Sequence, residues 1–151
     1  MSDLQGVQVV PLRRLAAAGG WVLPVLRADA PHFRKFGEAY ISAVAPGAVK
    51  AWVRHRLQTQ NYAVVQGRLR LVLHDGRDGS PTRGLTRETA LGEGSDSLVI
   101  VPPGIWSGFQ CLSEREALLL NLATEPHDDH EQERRDPSDA AIGFNWAGLQ
   151  P

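Results

Sequence analysis

Short apolar runs alternate with polar residues along most of the chain, and turn-forming residues separate one run from the next. The 15 glycines and 10 prolines are spread between these runs. Short segments of alternating character bounded by such residues are typical of strands that bury one face. The pattern predicts strands at 6–12, 21–26, 36–44, 49–55, 62–65, 68–74, 85–90, 97–101, 106–111 and 117–123. No segment predicts a helix longer than a turn or two, so we expect an all-β sandwich or barrel.

Two stretches depart from the strand pattern. Residues 75–84 are rich in glycine and other turn residues and predict a loop. The C-terminal part of the chain is polar and acidic, and it ends in the apolar residues Ile142, Phe144 and Trp146. We expect this tail to form an irregular lid whose aromatic end packs back on the barrel. The run 127–131 within it (HDDHE) predicts a solvated acidic segment rather than a metal site.

Composition limits the kinds of protein this chain can be. A length of 151 residues fits one domain, which we expect to span 1–151. The 16 basic and 17 acidic residues are scattered, which argues against binding to nucleic acid or to a membrane surface. Cys111 is the only cysteine, so it cannot form an intrachain disulfide. No apolar run is long enough for a signal peptide or a membrane span, and we therefore expect a cytoplasmic protein.

Two short motifs carry a resemblance to a known fold family. Gly47 and Gly67 bracket a segment that contains His55 and Gln60, and residues 102–107 read PPGIWS. In this order and spacing, the segments resemble the two motifs of the cupins. The resemblance implies a jelly-roll β-barrel that holds a small molecule in its mouth.

The positions where metal-binding cupins carry their ligands hold unsuitable residues in this chain. Three imidazoles and a carboxylate from adjacent strands can hold a divalent ion there. The corresponding residues are Val53, His55, Gln60 and Ser107. Valine cannot coordinate a metal, and the neutral glutamine and serine side chains are weak ligands. We therefore predict a barrel without a metal and without another cofactor.

A closer resemblance covers residues 7–146. The segments that carry it are FGEAYIS at 36–42, KAW at 50–52, DGRDGSPT at 75–82, PGIWSGF at 103–109 and EQERRDP at 131–137. They resemble the dTDP-4-dehydrorhamnose 3,5-epimerase family, especially its short members. This implies a metal-free cupin, commonly a homodimer with exchanged strands, that epimerises 4-keto-6-deoxy nucleotide sugars by removing protons next to the ketone.

Several functional residues implied by that resemblance are absent. The position of the catalytic base, a histidine in the family, falls on Val53, and that of a second histidine in the barrel mouth falls on Ser107. A tyrosine expected as general acid near 119–121 is missing. Asp136 matches the aspartate that orients the base, but here it has no base at Val53 to orient.

The nucleotide-binding positions also differ from the family pattern. An arginine-glycine pair early in the chain is replaced by Ala-Gly-Gly at 18–20. The arginine at the head of the base strand corresponds to Lys50, which can meet a phosphate only as a point charge.

The remaining polar residues offer another set of candidates. His55 lies two positions after Val53, so both side chains point to the same face of a strand, into the barrel. We predict His55 as general acid/base with Glu38 or Tyr40 as its partner, although the last two could equally be rim residues in mutual hydrogen bonds. Two tryptophans are expected to form flat walls of the pocket. The predicted substrate-binding residues are Lys50, Trp52, Gln58, Gln60, Tyr62, Trp106 and Ser107.

Three functions remain compatible with these residues. The first is a metal-free isomerase or cyclase that acts on a keto-containing small molecule in bacterial biosynthesis. The second is a nucleotide-sugar 3,5-epimerase that works with altered residues. The third is a cupin that binds a small molecule without turning it over.

Overall fold

The computed structural model describes residues 1–147, and within this range the chain forms strands and no helices. The strands are β1 Gln8–Pro11, β2 Leu15–Ala17, β3 Gly20–Val22, β4 Glu38–Val44, β5 Val49–His55, β6 Gln60–Gln66, β7 Arg68–Asp75, β8 Thr86–Gly92, β9 Ser97–Val101, β10 Ile105–Cys111, β11 Ala117–Ala123 and β12 Gln132–Arg134. Within residues 1–147, no helix is long and apolar enough to cross a membrane.

Ten of these strands form two antiparallel sheets that pack face to face as a jelly-roll cupin barrel. One sheet has the order β1-β9-β6-β11-β4, and the other has the order β12-β5-β10-β7-β8. Alternate residues of each strand point between the sheets, so that Leu69, Leu71 and Leu73 of β7 are fully buried there. The predicted all-β cupin fold is confirmed.

The N-terminal region differs from its predicted form. The predicted strand 21–26 is shortened to Gly20–Val22, and it pairs with Leu15–Ala17 in a separate two-stranded hairpin. Pro24 follows this hairpin in irregular structure, because it has no N–H to donate to a strand neighbour. All six hairpin residues are exposed.

The predicted loop at 75–84 is a tight clasp around a buried carboxylate. The side chain of Asp75 is fully buried and accepts hydrogen bonds from the backbone and guanidinium of Arg77 and from the hydroxyls of Ser80 and Thr82, at 2.6–3.0 Å. Burial alone would raise the pKa of Asp75, but these donors outweigh it and hold that pKa well below its ordinary value. The conspicuous DGRDGSPT motif is therefore explained by the structure of this loop.

The C-terminal segment packs on the outer face of the β5-β10-β7 region, as its apolar end predicted. Ile142, Phe144 and Trp146 contact Trp52 and Trp106 in a cluster separate from the main core. The ring centroids of Trp52 and Trp146 are 5.1 Å apart.

A glycine on β10 permits this close packing. A side chain at Gly108 would approach Ala51 and Trp146 to within 2.6–2.8 Å. Only glycine therefore fits at this position of the PGIWSGF motif without displacing its neighbours.

Candidate active site

A cavity of about 520 Å³ opens between the two sheets. One wall comes from β4, β6 and β11, and the other from β5, β10 and β12. Of the predicted site residues, those that line it are Glu38, Tyr40, Lys50, His55, Gln58, Tyr62 and Ser107. Polar groups from both sheets therefore face one open cavity, as is common in ligand-binding and active sites.

His55 is held by a carboxylate, and that carboxylate is Glu131. Strand β12 pairs with β5 in the register Gln132↔His55, which brings the preceding residue against the imidazole. The Nδ1 atom of His55 forms a short hydrogen bond with the carboxylate of Glu131. Both side chains are largely buried, at 11% and 6% exposure. The prediction that Glu38 or Tyr40 partners His55 is therefore wrong; the carboxylate of Glu38 instead accepts a hydrogen bond from the backbone N–H of His127.

The backbone around Glu131 keeps its carboxylate ionised. Burial would raise the pKa of Glu131, but hydrogen bonds from His55 and from the backbone N–H groups of Leu57 and Gln58 outweigh it and lower that pKa. An ionised carboxylate at this position keeps the proton of the neutral imidazole on Nδ1 and leaves Nε2 as the free base.

The predicted solvated run 127–131 is only partly solvated. His127, Asp128, Asp129 and His130 are exposed, whereas Glu131 is buried. Periodicity could not identify Glu131, because the strand that positions it has only three residues. Its place in the EQERRDP motif was the available signal.

A buried phenol lies deeper in the cavity. The hydroxyl of Tyr62 is 3.3 Å from the hydroxyl of Ser107, which lies 3.4 Å from the backbone carbonyl of Val53. Burial raises the pKa of Tyr62, so this phenol stays neutral. Tyr62 and Ser107 therefore offer neutral hydrogen-bonding groups beside the position where the family's base is missing.

A second phenol, on the opposite sheet from His55, has a defined partner. Tyr40 lies directly across from Asn121 in the β4–β11 pair. The side-chain amide of Asn121 donates to the Tyr40 hydroxyl at 2.8 Å. Sequence reasoning missed Asn121, although a lone amide within the apolar strand ALLLNLA is a signal, because a buried polar group needs a partner.

Two cationic side chains stand at the rim of the cavity. Lys50 and Arg134 line the cavity and are exposed to solvent. Lys50 donates to Ser42 at 3.0 Å, and Arg134 is 3.5 Å from the side-chain oxygen of Gln132. Within residues 1–147, neither cation forms an ion pair with a carboxylate. Sequence reasoning missed Arg134, although it lies in the same EQERRDP motif as Glu131.

Three predicted site residues, Trp52, Trp106 and Gln60, are corrected by the structure. Trp52 and Trp106 do not form walls of the cavity, because alternation along their strands directs them to the outer face, under the C-terminal segment. Gln60 is 2% exposed and does not line the cavity; its side chain is hydrogen-bonded to the amides of Gln58 and Asn121. Asp136 is exposed, and its carboxylate accepts hydrogen bonds from the backbone and hydroxyl of Ser138 rather than orienting a base.

The four ligand positions of metal-binding cupins do not all line the cavity here. Val53, His55 and Ser107 line the cavity, whereas Gln60 does not. Among residues 1–147, no group of three or more His, Cys, Asp or Glu side chains could hold a metal.

The fold and this cavity define a cupin whose barrel carries acid–base groups from both sheets. The sequence matches the dTDP-4-dehydrorhamnose 3,5-epimerase family over residues 26–151, and the chain belongs to that family. The family resemblance drawn from the sequence motifs is thereby confirmed.

Individual relatives agree with this assignment. The chain is 31% identical to the spore coat polysaccharide biosynthesis protein SpsL of Bacillus subtilis, over 95% of this chain and 96% of that protein. It is 30% identical to a probable low-salt glycan biosynthesis epimerase, Agl13, of Haloferax volcanii, over 89% and 88% of the two chains. The crystal structure of a dTDP sugar isomerase from Desulfovibrio desulfuricans superposes with a TM-score of 0.94 at 42% identity, covering 97% of this chain and 94% of that one.

These relatives bear on the functions left open by the sequence. They support the broad prediction of an isomerase-type protein of biosynthesis. Within that class they fit the epimerase alternative better than the predicted cyclase.

Proposed function

We propose that this protein epimerises a 4-keto sugar carried on a nucleoside diphosphate. The observation that carries the proposal is the placement of the His55–Glu131 pair on one sheet and Tyr40 on the other, both facing one cavity. Membership of the epimerase family and the relatives in sugar biosynthesis support the same substrate class.

His55 is the proposed base. A proton on carbon next to a ketone is acidic enough for removal by a positioned imidazole. Nε2 of His55 takes this proton, and the electrons of the C–H bond pass into the ketone to give an enolate. Glu131 stabilises the imidazolium that forms, because its carboxylate already holds the Nδ1 proton.

Tyr40 is the proposed acid. Inversion of a carbon centre requires that the new proton arrive on the face opposite to the one that lost it. Tyr40 lies on β4 and His55 on β5, in different sheets, so a sugar held between the sheets has one group on each face. Tyr40 gives its proton to the enolate carbon, and both side chains then exchange protons with water to return to their starting states.

Lys50 and Arg134 are the proposed binding groups for the diphosphate. The cavity is neutral at its depth, around Tyr62 and Ser107, and its charged lining groups include the exposed cations Lys50 and Arg134 together with the carboxylate of Glu38. A nucleotide sugar has the matching polarity, with a neutral ring and an anionic linker. Arginine binds phosphate well as a planar, permanently charged donor, and lysine adds a point charge.

Isotope exchange tests the proposed reaction. The protein is incubated with a dTDP-4-keto-6-deoxysugar in deuterated water, and the sugar is examined by NMR. We expect deuterium at a carbon next to the ketone together with formation of an epimer. Absence of exchange at both neighbouring carbons, under conditions where binding is saturated, would contradict the proposal.

We also propose that the protein is a homodimer, as the family resemblance implies. The β2–β3 hairpin leaves Leu15, Trp21 and Val22 exposed, at 44–54% of their surface. Mass measurement by light scattering tests this, with Trp21→Asp expected to shift the protein toward monomer. A monomeric wild type at micromolar concentration would refute the proposal.

A further inference from the structure

Three buried amide side chains connect the hydroxyl of Tyr40 to the protein backbone. Gln58, Gln60 and Asn121 are 3%, 2% and 0% exposed. They form one continuous chain of hydrogen bonds that ends at the hydroxyl of Tyr40. We propose that this amide chain is a positioning device that keeps Tyr40 a proton donor toward the cavity. The inference rests on the proposed epimerase function.

Both ends of the amide chain are fixed by groups whose polarity cannot change. At one end, the side-chain N–H of Gln58 donates to the backbone carbonyl of Pro126 at 3.2 Å. At the other end, the side-chain oxygen of Asn121 accepts from the backbone N–H of Asn61 at 3.0 Å. A backbone carbonyl can only accept and a backbone N–H can only donate, so neither terminal amide can rotate by 180° without losing its partner.

The fixed ends determine the direction of every bond between them. Because the nitrogen of Gln58 faces Pro126, its oxygen is left to accept from the nitrogen of Gln60 at 2.8 Å. The oxygen of Gln60 then accepts from the nitrogen of Asn121 in a short hydrogen bond. Reversing any one amide would place two oxygens or two N–H groups against each other in a buried site, which is costly.

Tyr40 receives the last donor of this chain. The two hydrogens of the Asn121 amide go to the oxygen of Gln60 and to the hydroxyl oxygen of Tyr40. The phenol oxygen is therefore an acceptor from the strand side, and its own hydrogen is left to point elsewhere. Tyr40 lines the cavity, so that hydrogen is available to a bound substrate. An acceptor at position 121 would instead draw the phenol hydrogen back toward β11.

The variant Asn121→Asp tests this directionality. A carboxylate can still accept a hydrogen bond from the backbone of Asn61. It has no hydrogen to donate to Tyr40, so it accepts a hydrogen bond from the Tyr40 hydroxyl instead. Two rates are measured for each protein in deuterated water: exchange into recovered substrate, which reports His55, and epimer formation, which also needs Tyr40. We expect epimer formation to fall roughly a hundredfold relative to exchange, which is the lower end of the range for the loss of a general acid.

Tyr40→Phe provides the reference for the expected fall in the ratio of epimer formation to exchange. Tyr40→Phe should lower the ratio of epimer formation to exchange in the same way. The double variant with Asn121→Asp should be no worse than Tyr40→Phe alone, because residues that act through one group are not additive. Independent, multiplicative losses in the double variant would overturn the proposal.

Two further variants separate positioning from a loss of stability. Gln60→Met interrupts the amide chain without touching the cavity, and it should lower the same ratio to a smaller extent. Thr124→Val removes a buried hydrogen bond to the backbone of Thr59 in the same region, and it should lower thermal stability while leaving the ratio unchanged. If Asn121→Asp does not fold, an unchanged ratio in Gln60→Met contradicts the inference. Absence of exchange in the wild type would instead count against the proposed function.

Discussion

The imidazole of His55 is hydrogen-bonded to the carboxylate of Glu131, which lies 76 residues further along the chain. The contact exists because β12 adds a short edge strand next to β5 and places Gln132 directly across from His55. The family's base position, Val53, faces the same cavity two residues earlier on β5. His55 thus lies on the expected strand, one inward-facing position after Val53, and its carboxylate partner comes from the segment just before β12.

Substitutions of His55 and Glu131 should distinguish the proton-removing role proposed for His55 from the charge-stabilising role proposed for Glu131. His55→Gln removes the proposed base and should abolish both epimerisation and solvent exchange. Glu131→Gln keeps the hydrogen bond to Nδ1 but cannot balance the charge of the imidazolium, and it should lower kcat by roughly ten- to a hundredfold with little change in KM. Initial rates with a 4-keto-6-deoxy nucleotide sugar measure both effects.

Glu133→Gln is the matched control for that experiment. Glu133 lies two residues after Glu131, on β12, but its carboxylate pairs with Arg54 and Arg56. Its substitution should leave kcat unchanged. Equal rates for Glu131→Gln and the wild type would exclude Glu131 as the partner of a catalytic His55.

The rim cations should determine affinity rather than rate. Lys50→Met and Arg134→Met should each weaken binding of thymidine diphosphate by roughly tenfold, the size of one charged hydrogen bond. The affinity of the wild type should also fall with added salt, since the contacts are exposed. Calorimetric titration measures both trends.

Arg56→Met controls for a general loss of positive charge. Arg56 is exposed and pairs with Glu133 rather than lining the cavity. The Arg56→Met variant should bind thymidine diphosphate with the affinity of the wild type. Unchanged affinity in both Lys50→Met and Arg134→Met would place the diphosphate elsewhere.

Most strands of the barrel could be predicted from the sequence because they bury at least one face. Strands 49–55, 97–101 and 117–123 have the predicted bounds, since their apolar residues alternate or run continuously between clear turns. The same period of two should have placed Trp52 outside the barrel, because Val53 and His55 point inward. The aromatic character of Trp52 suggested a pocket wall, but its position on the strand directs it to the outer face.

The site residues missed by the sequence depend on contacts between distant strands. Glu131 is positioned by a strand too short to give a periodic signal, and the acidic residues beside it predicted a solvated segment. Asn121 acquires its role from the register Tyr40↔Asn121, which no local pattern specifies. Local alternation predicts which residues face the barrel, but the pairing of strands decides which of them meet.

The absence of a resident metal is a further expectation from the side chains of the barrel. Val53 and Ser107 cannot replace the imidazoles of a metal-binding cupin. Elemental analysis of protein purified without added metal should find less than stoichiometric iron, zinc, nickel and manganese, and activity should survive chelation. One equivalent of a transition metal, lost together with activity, would contradict this expectation.

The clasp around Asp75 should give the fold a specific acid sensitivity. The pKa of Asp75 is lowered in the folded protein from an ordinary value of 3.8. A lowered pKa means that the carboxylate contributes its full stability above about pH 4 and loses it as the pH falls below that value. Asp75→Asn should lower the free energy of unfolding at pH 7 by about 3 kcal/mol, because Asn leaves buried donors without an acceptor. It should also flatten the decline in stability between about pH 4 and pH 2. Urea unfolding followed by tryptophan fluorescence across this range measures both effects.

The exposed neighbour Asp78, which pairs with Arg83 at 3.0 Å, supplies the control. Asp78→Asn should change stability by less than about 1 kcal/mol and keep the pH dependence of the wild type. If Asp75→Asn and Asp78→Asn behave alike, the loop around Asp75 does not stabilise the fold through the Asp75 charge.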